Sequence, residues 1–180
     1  MRALLAATLL LAAFTSHAEI EKFAQPDDTG LHLAWWPKVG PVPGWTHDHP
    51  ASLAKGANLF VPNGQTFRDS PVVMYARAMY KPRLKETETL AQLIRDDQNN
   101  FREEVPGVTI SADTAMKTAD GRKLETYLFS PKKGGNWEVV AYGEEPEYFL
   151  IFTLSARDPA SLKQARTAFA EMVGSYSGGS

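Results

Sequence analysis

The strongest constraint on the fold is a run of five residues, Tyr148 to Phe152, that offers no polar face. Successive side chains of a strand point to opposite faces of a sheet, so a strand of this kind must be covered on both sides. The segment from Pro71 to Tyr80 is similar, because both of its alternating sets of side chains are mostly apolar. Two such strands predict the centre of a sheet with a further layer on each face.

Turn signals divide the rest of the chain into short strands that helices precede and follow. Besides 71–80, the predicted strands are 31–36, 108–117, 123–129, 137–143 and 148–155. Thr89 predicts the N-cap of one helix, and Asp158 followed by proline predicts the N-cap of another, which ends near Gly174. Because strands joined by hairpins are antiparallel, we predict an α+β fold, a three-layer αβα sandwich with a mainly antiparallel sheet flanked by helices.

The first eighteen residues have the pattern of a secretory signal peptide. A basic residue, Arg2, precedes an apolar run from Ala3 to Phe14, and small residues flank His17. The run has about a dozen residues, fewer than the roughly 20 that a membrane-spanning helix needs. We therefore expect residues 1–18 to be a cleaved signal peptide. Residues 19–180 should form a single α+β domain with a flexible tail at 177–180.

The composition indicates which cellular compartment and which classes of partner suit this chain. The chain has no cysteine, so it can form neither a disulfide nor a thiolate metal site. Secreted eukaryotic domains of this size more often carry disulfides, so we predict a bacterial protein that is periplasmic or secreted. The net charge is −2, with both signs interspersed, which favours neither a nucleic-acid partner nor an anionic membrane surface. We expect no membrane insertion after signal cleavage and no cofactor.

Tryptophan and proline are concentrated between residues 29 and 45. Tryptophan is favoured in binding sites because it buries a large, stiff surface and keeps a hydrogen-bond donor. Trp36 and Trp45 are therefore candidate binding residues, and Trp45, after Pro43-Gly44, should be more exposed than Trp35 or Trp36. The alternative interpretation is that these rings close one end of the core.

His47 and His49 have the spacing of a metal-binding pair. In an extended segment both side chains would point the same way, and neutral imidazole is a good ligand for Zn²⁺ or Cu²⁺. Two nitrogens do not complete a site, and a third ligand would have to come from His32, Asp48 or a distant carboxylate. Both residues are equally well explained as polar residues that open a short helix near Pro50.

Arg77 is a third candidate binding residue, because it interrupts an otherwise apolar strand. An unpaired charge there would be unfavourable. It should either pair with a carboxylate, for which we consider Asp69, Glu144 and Glu145, or line a pocket for an anionic ligand.

No catalytic pattern stands out in the sequence. Glu144, Glu145 and Glu147 are acidic like the paired carboxylates of glycosidases, but they fall at the tip of a predicted hairpin, where charges are usually solvated. The chain has no Gly-x-Ser-x-Gly elbow and no Walker-type loop. We therefore expect that the protein is not an enzyme.

Several segments resemble the PsbP and DcrB-type family of αβα sandwiches, which are small exported or organelle-lumen domains. These segments are residues 59–64 followed by 70–73, the strand pair around 142–155, and the closing helix with Phe169, Val173 and Tyr176. The resemblance implies a curved antiparallel sheet between helices. It also implies a binding or assembly role, as in photosystem subunits, secretion chaperones and envelope proteins, and it brings no catalytic motif.

Three functional hypotheses follow. The first is an exported periplasmic binding or interaction module without catalytic chemistry, which engages a protein or envelope component; an inhibitor or immunity protein is one form of it. The second is a small-ligand or metal carrier that uses Arg77 or the pair His47 and His49. The third is an enzyme with an unrecognised site. A flat aromatic patch would favour the first hypothesis, and a concave pocket around Arg77 would favour the second.

Overall fold

The computed structural model describes residues 20–27 and 30–178, so the predicted signal peptide at 1–18 lies outside the described residues. The strands are β1 Ile20–Asp27, β2 Gly30–Pro37, β3 Trp45–His47, β4 Asn58–Pro62, β5 Val72–Tyr80, β6 Thr109–Ala112, β7 Met116–Lys117, β8 Lys123–Ser130, β9 Trp137–Glu144 and β10 Tyr148–Ala156. The helices are α1 His49–Lys55, α2 Leu90–Glu104 and α3 Pro159–Gly174, with a 3₁₀ turn at Lys81–Arg83. None of these helices is both long enough and apolar enough to cross a membrane.

The described strands form an antiparallel sheet with β10 in its middle. β10 pairs with β5 on one side and β9 on the other, and Ile151 lies opposite both Arg77 and Tyr142. The hydrogen-bonded order is β1-β2-β5-β10-β9-β8-β6. Every residue of β10 from Phe149 to Ala156 is buried, which confirms the central strand predicted from its apolar run.

Helix α3 covers one face of the sheet. Asp158 accepts hydrogen bonds from the backbone N–H groups of Ala160 and Ser161, so the predicted N-cap is confirmed. The buried side of α3 packs against Met74 of β5 and Leu154 of β10. Its buried residues are the predicted stripe, Leu162, Ala165, Phe169, Met172 and Val173. Each large side chain buried here stabilises the fold by roughly 1.5–3 kcal/mol.

The opposite face is covered in two separate patches. Helix α2 places Leu93 and Ile94 over the middle of the sheet. Near α1, Leu59, Val61 and Val73 form a smaller cluster that packs against Ala51 and Phe67. Helices on both faces confirm the predicted α+β sandwich, and the gap between the two patches leaves part of this face without a helix above it.

The sheet forks beside β5, because β2 and β4 share one edge of that strand. Near the end of β5, Ala78 pairs with Trp35 of β2. Nearer its start, Met74 pairs with Phe60 of β4. The side chain of Asn58 in β4 donates a hydrogen bond of 3.0 Å to the carbonyl oxygen of Pro37 in β2, which ties the two branches together at the base of the fork.

The end of the chain returns to the sheet after α3. Tyr176 is fully buried, and the backbone N–H of Gly178 donates to the carboxylate of Asp120 at 3.0 Å. Residues 179 and 180 lie outside the described part, so the flexible tail at 177–180 stays a prediction.

Candidate binding cleft

A cleft with a volume of about 600 Å³ opens at the fork of the sheet. One wall is the end of β2 with the irregular segment 38–44 that follows it, and the other is the antiparallel pair of β3 and β4. Four of the five candidate residues, Trp36, Trp45, His47 and His49, line this cleft. We name it the aromatic cleft. The fifth candidate, Arg77, lies elsewhere.

The two tryptophans of the aromatic cleft differ in exposure. Trp36 is only 5% exposed, and its ring lies 4.1 Å from the ring of Phe23 and 6.0 Å from that of His47. Trp45 is half-buried and packs against the main core below α3. Both rings therefore belong to the core and to the cleft at once, so they form a fixed apolar floor.

The irregular wall of the cleft is anchored at three points. Val42 is 4% exposed, and its carbonyl oxygen accepts a hydrogen bond of 3.1 Å from the N–H of Trp45. The N–H of Gly40 donates to the hydroxyl of Ser175, just after α3, at 2.9 Å. Since the prolines of this segment also restrict its backbone, the wall is held in place without a ligand.

The rings of His47 and His49 meet edge to face at the mouth of the cleft, with their centroids 5.5 Å apart. Nε2 of His47 lies 2.9 Å from the hydroxyl of Ser52. The same hydroxyl donates to the carbonyl of Asp48 at 2.8 Å. Burial lowers the pKa of His47 below 6.5, and the neighbouring His49 lowers it further.

The described residues supply no third ligand for a metal ion at His47 and His49. Among the residues that the structure describes, no group of three histidine, cysteine or acidic side chains could hold a metal ion. Asp48, one of the proposed third ligands, accepts hydrogen bonds from the backbone N–H groups of Ala51 and Phe67 instead. His47 and His49 lie on the rim of the cleft.

Ser52 holds the cleft and α1 together. It is fully buried, and its hydroxyl also accepts a hydrogen bond from the N–H of Leu59. We expect Ser52→Ala to lower the free energy of unfolding by about 2 kcal/mol, because Leu59 keeps a buried N–H without an acceptor. Urea denaturation measures this loss. Ser111→Ala, at an exposed position in β6, is the control, and equal stability of the two variants would contradict the role assigned to Ser52.

Arg77 points to the opposite face of the sheet, away from the aromatic cleft. Its side chain is 44% exposed, and its guanidinium lies 3.7 Å from the carboxylate of Asp97 in α2. The three partners considered from the sequence are engaged elsewhere: Asp69 with Thr66, Glu144 with Lys81, and Glu145 with Arg122 and Tyr176. The predicted carboxylate partner exists, but its assignment was wrong because α2 folds back over β5.

Glu145 contradicts the expectation that the acidic turn before β10 is simply solvated. Its side chain is 9% exposed. Oε1 accepts hydrogen bonds from the guanidinium of Arg122 at 2.9 Å and from the hydroxyl of Tyr176 at 2.6 Å. Glu145 therefore joins the turn to the chain that follows α3.

Comparison with solved structures gives a similar fold. One match is the solution structure of cyanobacterial PsbP from Synechocystis. The alignment covers 93% of this chain and 96% of the PsbP chain, with 11% sequence identity and a TM-score of 0.47. Its fold is similar to that of this chain. No protein-family model and no curated protein sequence matches the chain.

Proposed function

We propose that this protein is a periplasmic binding module without chemistry of its own, and that the aromatic cleft holds a segment of a partner protein. The observation that carries the proposal is the convergence of Trp36, Trp45, His47 and His49 in one preformed cleft. A preformed site loses little conformational entropy when it is filled, and tryptophan anchors are typical of binding hot spots. The predicted signal peptide supports the location.

Lys38 and Glu21 both line the cleft, and we propose a partner segment with an apolar side chain beside a carboxylate that faces Lys38. Trp36, Trp45 and Phe60 offer apolar surface on the floor. Lys38 is exposed on the wall and forms no ion pair among the described residues, and His49 is exposed at the mouth. An apolar side chain would fill the floor, and a neighbouring carboxylate would reach Lys38.

Affinity capture tests this proposal. The tagged protein would be cross-linked in the periplasm of its native host, and the captured proteins would be identified by mass spectrometry. We expect one dominant partner, with at least tenfold less of it captured by Lys38→Glu, because the exchange reverses the charge that faces the partner. Trp45→Ala should have the same effect, and thermal unfolding shows whether that variant still folds.

The matched control is Lys163→Glu, which makes the same charge reversal on the exposed side of α3. It should capture the partner like the wild type. Equal loss in both lysine variants would show that net charge, and not the cleft, governs capture. That outcome would contradict the site.

A further inference from the structure

A second pocket lies on the opposite face of the sheet, in the gap between α2 and α1. Its volume is about 320 Å³, at the lower end of the range typical of small-molecule sites. Strand pairing places its floor residues in adjacent rows: Val73, Ser155 and Glu138 form one row, and Leu59 and Tyr75 form the next. We name it the Glu138 pocket. It shares no lining residue with the aromatic cleft.

One side of the Glu138 pocket is apolar and the other is a hydrogen-bonded chain. Leu59, Phe67 and Val73 line the apolar side. On the polar side, the amide of Asn136 donates to the hydroxyl of Ser155 at 3.0 Å, and this hydroxyl donates to Oε1 of Glu138 at 2.7 Å. Among the described residues, Oε2 of Glu138 and Oδ1 of Asn136 accept no hydrogen bond, so two acceptors stay open.

Two cations lie at the rim of the same pocket. Arg77 reaches only the carboxylate of Asp97, and at 3.7 Å that contact is too long for a hydrogen bond. The ammonium of Lys55 lies over the ring of Phe67, 5.4 Å from its centre, and pairs with no carboxylate among the described residues. The pocket therefore presents two cations at its rim, two open acceptors and an apolar wall.

We propose that the Glu138 pocket binds a small zwitterion, a free α-amino acid with an apolar side chain. Its carboxylate would accept hydrogen bonds from Arg77 and Lys55, its ammonium would donate to Glu138 and Asn136, and its side chain would pack on the apolar wall. About ten molecules of liquid water would occupy the 320 Å³ of this pocket. The volume therefore suits a ligand of roughly ten non-hydrogen atoms. The carboxylate and the ammonium of such a ligand would each meet groups of opposite character.

The charges around Glu138 agree with an ammonium beside it. Burial, helped by Asp97 and Glu104 of α2, raises the pKa of Glu138 to about 7, against the lowering effects of Ser155 and Arg77. A bound ammonium favours the ionised carboxylate. Binding should therefore be about tenfold tighter at pH 8 than at pH 6, where the carboxyl is mostly protonated.

NMR titration of the ¹⁵N-labelled protein with L-leucine and L-phenylalanine tests this site. At about 10 mM, which would saturate a site of millimolar affinity, the amide signals of Arg77, Glu138 and Ser155 should shift, whereas the indole signals of Trp36 and Trp45 should not. N-acetyl-leucine lacks the ammonium and isoamylamine lacks the carboxylate, so each should bind at least tenfold more weakly than leucine.

Matched variants separate this site from the aromatic cleft. Glu138→Gln should weaken the binding of leucine at least tenfold at pH 8, while Lys38→Glu should leave it unchanged. Three results would overturn the proposal: no shift of the pocket signals with either amino acid, equal binding of N-acetyl-leucine, or unchanged affinity in Glu138→Gln. None of these results bears on the partner proposed for the cleft.

Discussion

Glu138→Gln should raise the free energy of unfolding at pH 8 by about 2 kcal/mol. Burial holds the pKa of Glu138 near 7 in the folded protein, against an ordinary value of 4.5, so the fold disfavours the charge that the unfolded chain accepts. The difference between the two pKa values sets an upper limit of about 3 kcal/mol. Glutamine removes the charge and keeps an oxygen that can accept the hydrogen bond from Ser155.

Because the fold raises the pKa of Glu138, the stabilisation by Glu138→Gln should grow as the pH rises. Below pH 4.5 the carboxyl is protonated in both states, so it causes no loss of stability. As the pH rises from 4.5 to 7, the unfolded chain loses this proton first and the wild-type fold becomes less stable. Urea denaturation at pH 4.5 and pH 8 should thus show little gain for Glu138→Gln at the lower pH and the full gain at the higher one.

The control for this prediction is Glu103→Gln, at an exposed position on α2. It should change the stability by less than about 0.5 kcal/mol at either pH, as is usual for surface positions. A destabilised Glu138→Gln at pH 8 would mean that the ionised carboxylate is needed for folding, and the account of this pocket would fail. A stabilised variant would indicate that the carboxylate serves a purpose other than stability.

Glu145→Ala should lower the free energy of unfolding by about 3 kcal/mol. Removing the carboxylate leaves the hydroxyl of Tyr176 buried without its acceptor and takes one partner from Arg122. Arg122 keeps its ion pair with Asp120 at 2.9 Å, which limits the loss. The effect is large because one side chain joins the β9–β10 turn to the segment after α3.

Glu145→Gln is the matched control, since it keeps an oxygen that can accept from Tyr176. Its loss of stability should be less than half that of the alanine variant, and Tyr176→Phe should fall between the wild type and Glu145→Ala. Thermal and urea unfolding measure all three. If Glu145→Ala were as stable as the wild type, the carboxylate would be a surface charge, as the sequence alone suggested.

The central and C-terminal parts of the fold could be predicted from local pattern. β10 is buried on both faces and has no polar alternation, so its apolar run is informative by itself. The boundaries of α3 follow from Asp158, Pro159 and a continuous apolar stripe. In both cases the residues that decide the structure are neighbours in the sequence.

The N-terminal part was harder to predict. The eight-residue strand β1 was not anticipated, and β3 lies next to a segment where glycine and proline suggested only turns. Strand β7 is separate from β6, although the sequence suggested one strand at 108–117. These strands are stabilised by partners distant in the chain, and local pattern carries little of that information.

The candidate sites show the same limit. The aromatic cleft could be anticipated in part, because Trp36, Trp45, His47 and His49 fall close together in the sequence. No sequence pattern marked Lys38 as a binding residue, because only the fork of the sheet places it on the wall of the cleft. The Glu138 pocket was missed except for Arg77, because the register of the sheet brings residues of β5 next to residues of β9 and β10 that lie more than sixty positions later in the chain.

The central claim is that the aromatic cleft receives a partner protein, and site-specific photo-cross-linking tests it most directly. A photoreactive phenylalanine analogue would replace Lys38 on the cleft wall or, as the control, Lys163 on α3. The protein would then be irradiated in its native host. We predict one discrete protein adduct from position 38 and none from position 163. No adduct from position 38, or the same adducts from both positions, would contradict the claim.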